Sequence, residues 1–159
     1  MRQTNVSTKP IIKSAIWSVA AAVILIGAML IYQKSSVAAD VVVYKSASCG
    51  CCNSWIRHMK QNGFTTEAYN STDMQLVKKE IGVPSKLASC HTAVVGGYVI
   101  EGHVPADVIA RLLKEKPAIK GLSTPGMPMG SPGMEGPRKE PYNVVSFDEN
   151  GKTSIYARR

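Results

Sequence analysis

Three of the chain's four cysteines fall in one short stretch, Cys49-Gly50-Cys51-Cys52, close behind the apolar run Val41-Val42-Val43-Tyr44. A strand that leads into a helix puts these thiols at the helix's positive end, where thiolate is favoured. Thiolates are nucleophiles and soft ligands, so the motif suits either thiol redox chemistry or a soft metal. A structural disulfide framework is the plain alternative, because four cysteines allow three pairings. Such frameworks tie distant segments together, however, whereas these cysteines crowd one turn, and a bond between adjacent Cys51 and Cys52 is strained. Crowding points to chemistry.

The segment ahead of this motif reads as targeting sequence. Residues 14–33 are uncharged and rich in Ile, Ala and Val, and Arg2, Lys9 and Lys13 precede them. A bilayer-crossing helix needs about 20 such residues, and the positive flank predicts a cytoplasmic N-terminus with the remainder exported. Val37-Ala38-Ala39 offers the small residues that a signal peptidase accepts. Residues 1–39 are therefore expected to be a signal peptide or a membrane anchor, the chain's one membrane contact, with residues 40–118 and 119–159 forming the exported part.

The formal charge of +8 overstates the basicity of that part. Of 19 basic residues four lie before residue 40, leaving 15 against 11 acidic ones. They are scattered, with Lys78, Lys79, Lys114, Lys116 and Lys120 expected on helix surfaces, and no basic stripe carries interleaved aromatics. Nucleic acid is not an expected partner.

Strands and helices alternate along the exported part. Val41–Lys45 suits a buried strand, and Cys52, Trp55, Ile56 and Met59 recur at helical spacing until Asn62-Gly63. Residues 64–69 read as an edge strand. Asn70-Ser71-Thr72 can cap a helix whose apolar face is Leu76, Val77 and Ile81. Thr92–Val95 and Tyr98–Glu101 flank Gly96-Gly97, a two-residue hairpin turn. Pro105 opens a third helix with Val108, Ile109, Leu112 and Leu113 inward. The order strand, helix, strand, helix, hairpin, helix predicts an α/β sandwich. Residues 121–137 are rich in Gly, Pro and Met and read as neither helix nor central strand. A second hairpin, 143–147 with 152–156 around Asp148-Glu149-Asn150-Gly151, makes that segment internal to the fold.

Cys49 and Cys52 have the C-x-x-C spacing of disulfide oxidoreductases. Cys51 between them would scramble exchange, yet three sulfurs can converge on a soft metal. The hairpin adds to this set. With Gly96-Gly97 as the turn, counting outward sets Cys90 opposite His103; a three-residue turn would instead set His91 opposite His103. Cross-strand neighbours lie about 5 Å apart at Cβ, so either register gathers ligands at the open end of the hairpin. His58 lies two helical turns from Cys51, about 10 Å along the axis, and is expected to face solvent. Met59 and Met74 sit at helical positions as packing residues. Met127, Met129 and Met134 lie in a proline-stiffened segment with no amphipathic pattern. Thioether beside thiolate is the ligand set that selects Cu(I), whereas zinc has no need of methionine. Copper is the expected metal.

These residues resemble the CopG-type copper-resistance family: Cys49-Gly50-Cys51-Cys52, Ser89-Cys90-His91-Thr92, residues 97–105 from Gly97 to Pro105, and Pro125-Gly126-Met127-Pro128-Met129-Gly130-Ser131-Pro132-Gly133-Met134-Glu135. The resemblance runs from about Val41 to Tyr156. It implies a thioredoxin-like α/β domain (40–118) with a C-terminal extension (119–159) that folds back over the site. It implies a periplasmic protein of Gram-negative bacteria with a cysteine-bridged cluster of several copper ions. Cys49, Cys51, Cys52 and Cys90 become cluster ligands, completed by His103 and the methionines, Met127 foremost, with His91 also at hand. The implied role is interconversion of Cu(I) and Cu(II), with an electron donor or acceptor and efflux components as partners. A thiol-disulfide oxidoreductase working through Cys49 and Cys52, and a passive copper chaperone, are the competing functions. The proline that thioredoxin-like oxidoreductases carry before the third strand has no counterpart at Cys90-His91, which weighs against ordinary dithiol exchange.

Overall fold

The computed structural model describes residues 40–159; the expected signal or anchor segment lies outside them. Among the described residues no helix is long and apolar enough to cross a membrane. Seven strands form one mixed sheet: β1 (Val41–Lys45), β2 (Thr66–Asn70), β3 (His91–Val95), β4 (Tyr98–Gly102), β5 (Gly121–Thr124), β6 (Asn143–Phe147) and β7 (Thr153–Arg158), in the order β2-β1-β3-β4-β5-β6-β7. The pairs β1/β2 and β4/β5 are parallel and the other four antiparallel. Three helices complete the fold: α1 (Gly50–Gln61), α2 (Met74–Ile81) and α3 (Ala106–Glu115). This is the expected mixed α/β architecture.

The period-two pattern of the central strands divides the core. Val41, Val43, Ala93, Val95, Ile100 and Leu122 pack on one face with Trp55, Ile56 and Met59 of α1 and Ile109 and Leu112 of α3. Val99 and Phe147 meet Val83 and Leu87 in a second cluster, on the segment that follows α2. Each such side chain stabilises the fold by about 1.5–3 kcal/mol when fully buried. Trp55 serves the site as well, because its indole N–H donates to Val104 O at 2.8 Å and ties α1 to the end of β4.

Four expectations are corrected here. Residues 121–137 do contain a central strand: β5 is wholly buried between β4 and β6. Gly121 permits it, since a Cβ there would lie 2.0 Å from Val99 O, so the close backbone approach needs a residue without a side chain. Lys78 is not a surface residue. Leu76 is half exposed while Lys78 is buried, its ammonium drawn to the carboxylate of Glu101 on β4. His58 does not face solvent freely: its Nε2 accepts the Ala106 N–H at 3.1 Å and supplies the cap that Pro105 cannot give α3. Asp73, one residue beyond the expected capping stretch, caps α2 by accepting from the Leu76 N–H.

Candidate metal centre

The end of β1 turns through Ser46–Ser48 into α1. Cys49 caps α1, its sulfur accepting the Cys52 N–H at 3.3 Å. Cys49 and Cys52 are joined in a disulfide with a Cα separation of 5.4 Å, while Cys51 and Cys90 are free thiols. Cys51 Sγ lies 3.5 Å from Cys49 Sγ and 3.8 Å from Cys90 Sγ. All four sulfurs fall within 4.8 Å of one another.

Cys90 reaches this corner because β3 lies antiparallel between β1 and β4. The register sets Lys45 opposite His91, so the residue before β3 meets the turn that follows β1. On the other side Val95 faces Tyr98 and Thr92 faces Glu101. Two residues further along each strand, Cys90 meets His103, with 2.9 Å between Sγ and Nε2. The two-residue turn and its outward count are borne out.

The two imidazoles differ in how they are held. His103 is buried, and its Nδ1–H donates to Pro132 O at 2.7 Å, which leaves the Nε2 lone pair aimed at Cys90. A carbonyl holding one ring nitrogen is the usual way a ligating histidine is oriented. Burial lowers its pKa, against the Pro132 carbonyl and Glu135, which raise it. His91 is fully buried, its ring 4.5 Å from Trp55 and 5.0 Å from His103, with Nδ1 3.5 Å from Cys90 Sγ. Burial, with His103 and Lys78 nearby, drives its pKa well below the ordinary range. Both rings are neutral at neutral pH, the form a metal binds. His91 Nε2 has no hydrogen-bond partner among the described residues. Burial first, and then the adjoining Cys51, pushes the Cys90 thiol up to about 12. A metal must therefore displace a proton from it. Cys90, His91 and His103 make a second close group that shares one sulfur with the first.

A buried polar network behind Cys90 was missed in the sequence. Glu101 accepts from Lys78 Nζ and Thr92 Oγ1, both at 2.6 Å, and from the Ser89 backbone N–H. Lys78, Thr92 and Glu101 are all buried. One acidic residue inside the apolar run of β4 was the available signal, and its counterion came from a helix read as solvated.

The Gly/Pro/Met segment touches the site through its backbone. Besides the Pro132 carbonyl, Gly133 packs so closely that a Cβ would lie 2.7 Å from Cys51 O and 2.8 Å from Trp55 N, and its φ of +85° suits glycine. Glu135 accepts the Gly133 N–H at 2.8 Å and holds this turn. The methionines behave differently from one another. Met127 is 40 % exposed at a positive φ of 49°, Met129 has its terminal methyl beside Gly136, and Met134 is half-buried with its carbonyl accepting from Gly130 N–H.

The fold and this corner define a mixed α/β protein with a cysteine- and histidine-rich site suited to a soft metal. Two solved structures, described as "Copper resistance protein copG- Form 2" and "Copper resistance protein copG- Form 1", are each 44% identical to the chain with a TM-score of 0.71. The alignments cover 75% of this chain and 96% and 95% of theirs. The chain belongs to the CopG copper-resistance family. A family model described as "Protein of unknown function, DUF411" also matches residues 87–134, which hold Cys90, both site histidines and the three loop methionines. No curated protein matches the chain.

Proposed function

We propose that this is a periplasmic copper-resistance protein that gathers several Cu(I) ions in a cluster bridged by Cys49, Cys51, Cys52 and Cys90 and interconverts Cu(I) and Cu(II). The observation that carries the reading is the convergence of four sulfurs, remote in sequence, beside an imidazole whose lone pair already faces one of them. The donor set fits copper: thiolate selects the cuprous ion and imidazole tolerates the cupric one. His103 and His91 would complete the sulfur set on one side, and the loop methionines, Met127 foremost, would supply thioether once the loop brings them in. Pro132 and Gly133 lay the loop over the corner and limit solvent.

The order β2-β1-β3-β4, with β1 parallel to β2 and antiparallel to β3, supports a thioredoxin-like core for residues 40–118 with 119–159 as its extension. Residues 1–39 would deliver the chain to the periplasm as a cleaved signal or a retained anchor. There it would exchange electrons with a redox partner and pass copper to efflux components.

A thiol-disulfide oxidoreductase is the second reading, favoured by the bonded Cys49–Cys52 pair. It leaves Cys51, Cys90 and the two histidines without a task. Anaerobic Cu(I) titration of the chain, with metal analysis and absorption spectra in both copper oxidation states, separates the two. The copper reading expects several ions bound by the reduced protein and a reversible spectral change on oxidation. Fewer than one ion per chain would refute it.

A further inference from the structure

We propose that Cys49 and Cys52 form a working dithiol–disulfide couple that decides which of two overlapping copper sites the chain offers. This rests on the copper reading above and extends it. The Cα separation of 5.4 Å lies inside the ordinary disulfide range, so the bond closes without moving the backbone. Closing it withdraws two of the four sulfurs in the Cys49, Cys51, Cys52 and Cys90 group. It leaves the other group whole: with the disulfide in place, Cys90 Sγ still lies 2.9 Å from His103 Nε2 and 3.5 Å from His91 Nδ1. Cys51 remains a free thiol 3.8 Å from Cys90.

The two forms have different chemical tastes. Four thiolates make a soft site that bridges several cuprous ions. One thiolate with two imidazoles is a single-ion set that accommodates both copper oxidation states. The oxidised chain is thus a low-capacity form able to hold copper in either state, and the reduced chain a high-capacity cuprous store.

Copper(II) is the oxidant that links them. Two Cu(II) ions each take one electron from the Cys49 and Cys52 thiols. The S–S bond forms, two protons leave to solvent, and two Cu(I) ions result. Cys49 is partly exposed and Cys52 is buried, so an external dithiol resets the couple by attack at Cys49. It departs as a disulfide and leaves two thiols behind.

The test uses the full chain, kept anaerobic and copper-free, in two portions. One is fully reduced; the other is oxidised with diamide and checked by peptide mapping for the Cys49–Cys52 link. Each is titrated with Cu(I) against a chelator. The reduced portion is expected to bind several ions and the oxidised portion at most half as many, but not none. Adding Cu(II) to reduced chain should consume two thiols, yield two Cu(I) and create the Cys49–Cys52 link. C49S should show one stoichiometry after either treatment. Equal stoichiometry in the two portions of unaltered chain, or a link that joins Cys51 to Cys90, would overturn the proposal while leaving the copper reading intact. No Cu(I) bound by the reduced chain would overturn both.

Discussion

Glu101 accepts a hydrogen bond from the backbone N–H of Ser89, the residue that precedes Cys90. A carboxylate fully buried in the sheet therefore fixes the approach of a sulfur on the neighbouring segment. Its charge is matched by Lys78 at 2.6 Å, with Thr92 completing the network. Cys90 is thus placed twice, by strand register and by this clamp.

Breaking a buried pair from one side leaves an uncompensated charge, which costs about 3–5 kcal/mol. Lys78→Met should lower the stability of the metal-free chain by roughly that amount, read from the urea unfolding midpoint. Removing both charges in K78M/E101Q should cost clearly less, because the unpaired charge disappears while the amide oxygen can still accept from Ser89 and Thr92. If both variants lose the same stability, the ion pair is not what holds this part of the core.

The four-sulfur group predicts that no cysteine is dispensable to a cluster. Cys51 lies between Cys49 and Cys90, at 3.5 and 3.8 Å, and so occupies the bridging place. Cys51→Ser should cut bound copper to a small remainder while circular dichroism stays unchanged, since the side chain is only half-buried. Copper analysis after anaerobic loading and desalting reads this directly. An unchanged copper count would end the bridged arrangement.

The titrating groups at the site set two pH effects. For the metal-free chain, His91 has a folded pKa below its ordinary 6.5. Its burial as a neutral ring is therefore tolerated above that value and is increasingly destabilising as pH falls below it. Cys90 has the opposite sign, raised from 9.0 to about 12, so its contribution is lost as pH rises above 9.0. The thermal unfolding midpoint of metal-free protein should be highest between these limits, and H91F should flatten the acid limb. For copper loading, the proton displaced from Cys90 alone makes Cu(I) affinity rise at least about tenfold per pH unit around neutrality, and the other bound thiols steepen the slope. A pH-independent affinity would mean that Cys90 is not bound as thiolate.

Much of this site was legible because register follows from turn length and the period of two. Gly96-Gly97 fixed the hairpin, and counting outward sufficed to pair Cys90 with His103 across twelve intervening residues of sheet and turn. The strand-to-helix position of Cys49–Cys52 was equally readable from the apolar run and the spacing of Trp55, Ile56 and Met59. What escaped depends on partners far away in the chain. Glycine usually argues against a central strand, yet Gly121 is there because Val99 O leaves no room for a side chain. Lys78 looks like any helix-surface lysine until Glu101 is placed opposite it. His58 looked exposed because the N–H that it caps belongs to Ala106, remote in sequence. The hold of the loop on His103 runs through a main-chain carbonyl of Pro132, which no side-chain pattern can announce.

That hold can be tested without touching a metal ligand. Gly133 adopts φ +85°, and a Cβ would press against Cys51 O and Trp55 N at 2.7 and 2.8 Å, both main-chain atoms of α1 that cannot yield cheaply. Gly133→Ala should therefore lift the turn off α1 and pull the Pro132 carbonyl away from His103 Nδ1. The strands and helices do not depend on this turn, so the global unfolding midpoint should shift little. The four cysteines keep their places, so the copper count should also hold. The expected change is kinetic: once solvent and competitors reach the corner, transfer of Cu(I) to an external chelator should speed up at least tenfold in stopped-flow absorption. Unaltered transfer together with an intact fold would show that the loop does not control access, and that copper enters and leaves by the exposed side of Cys49.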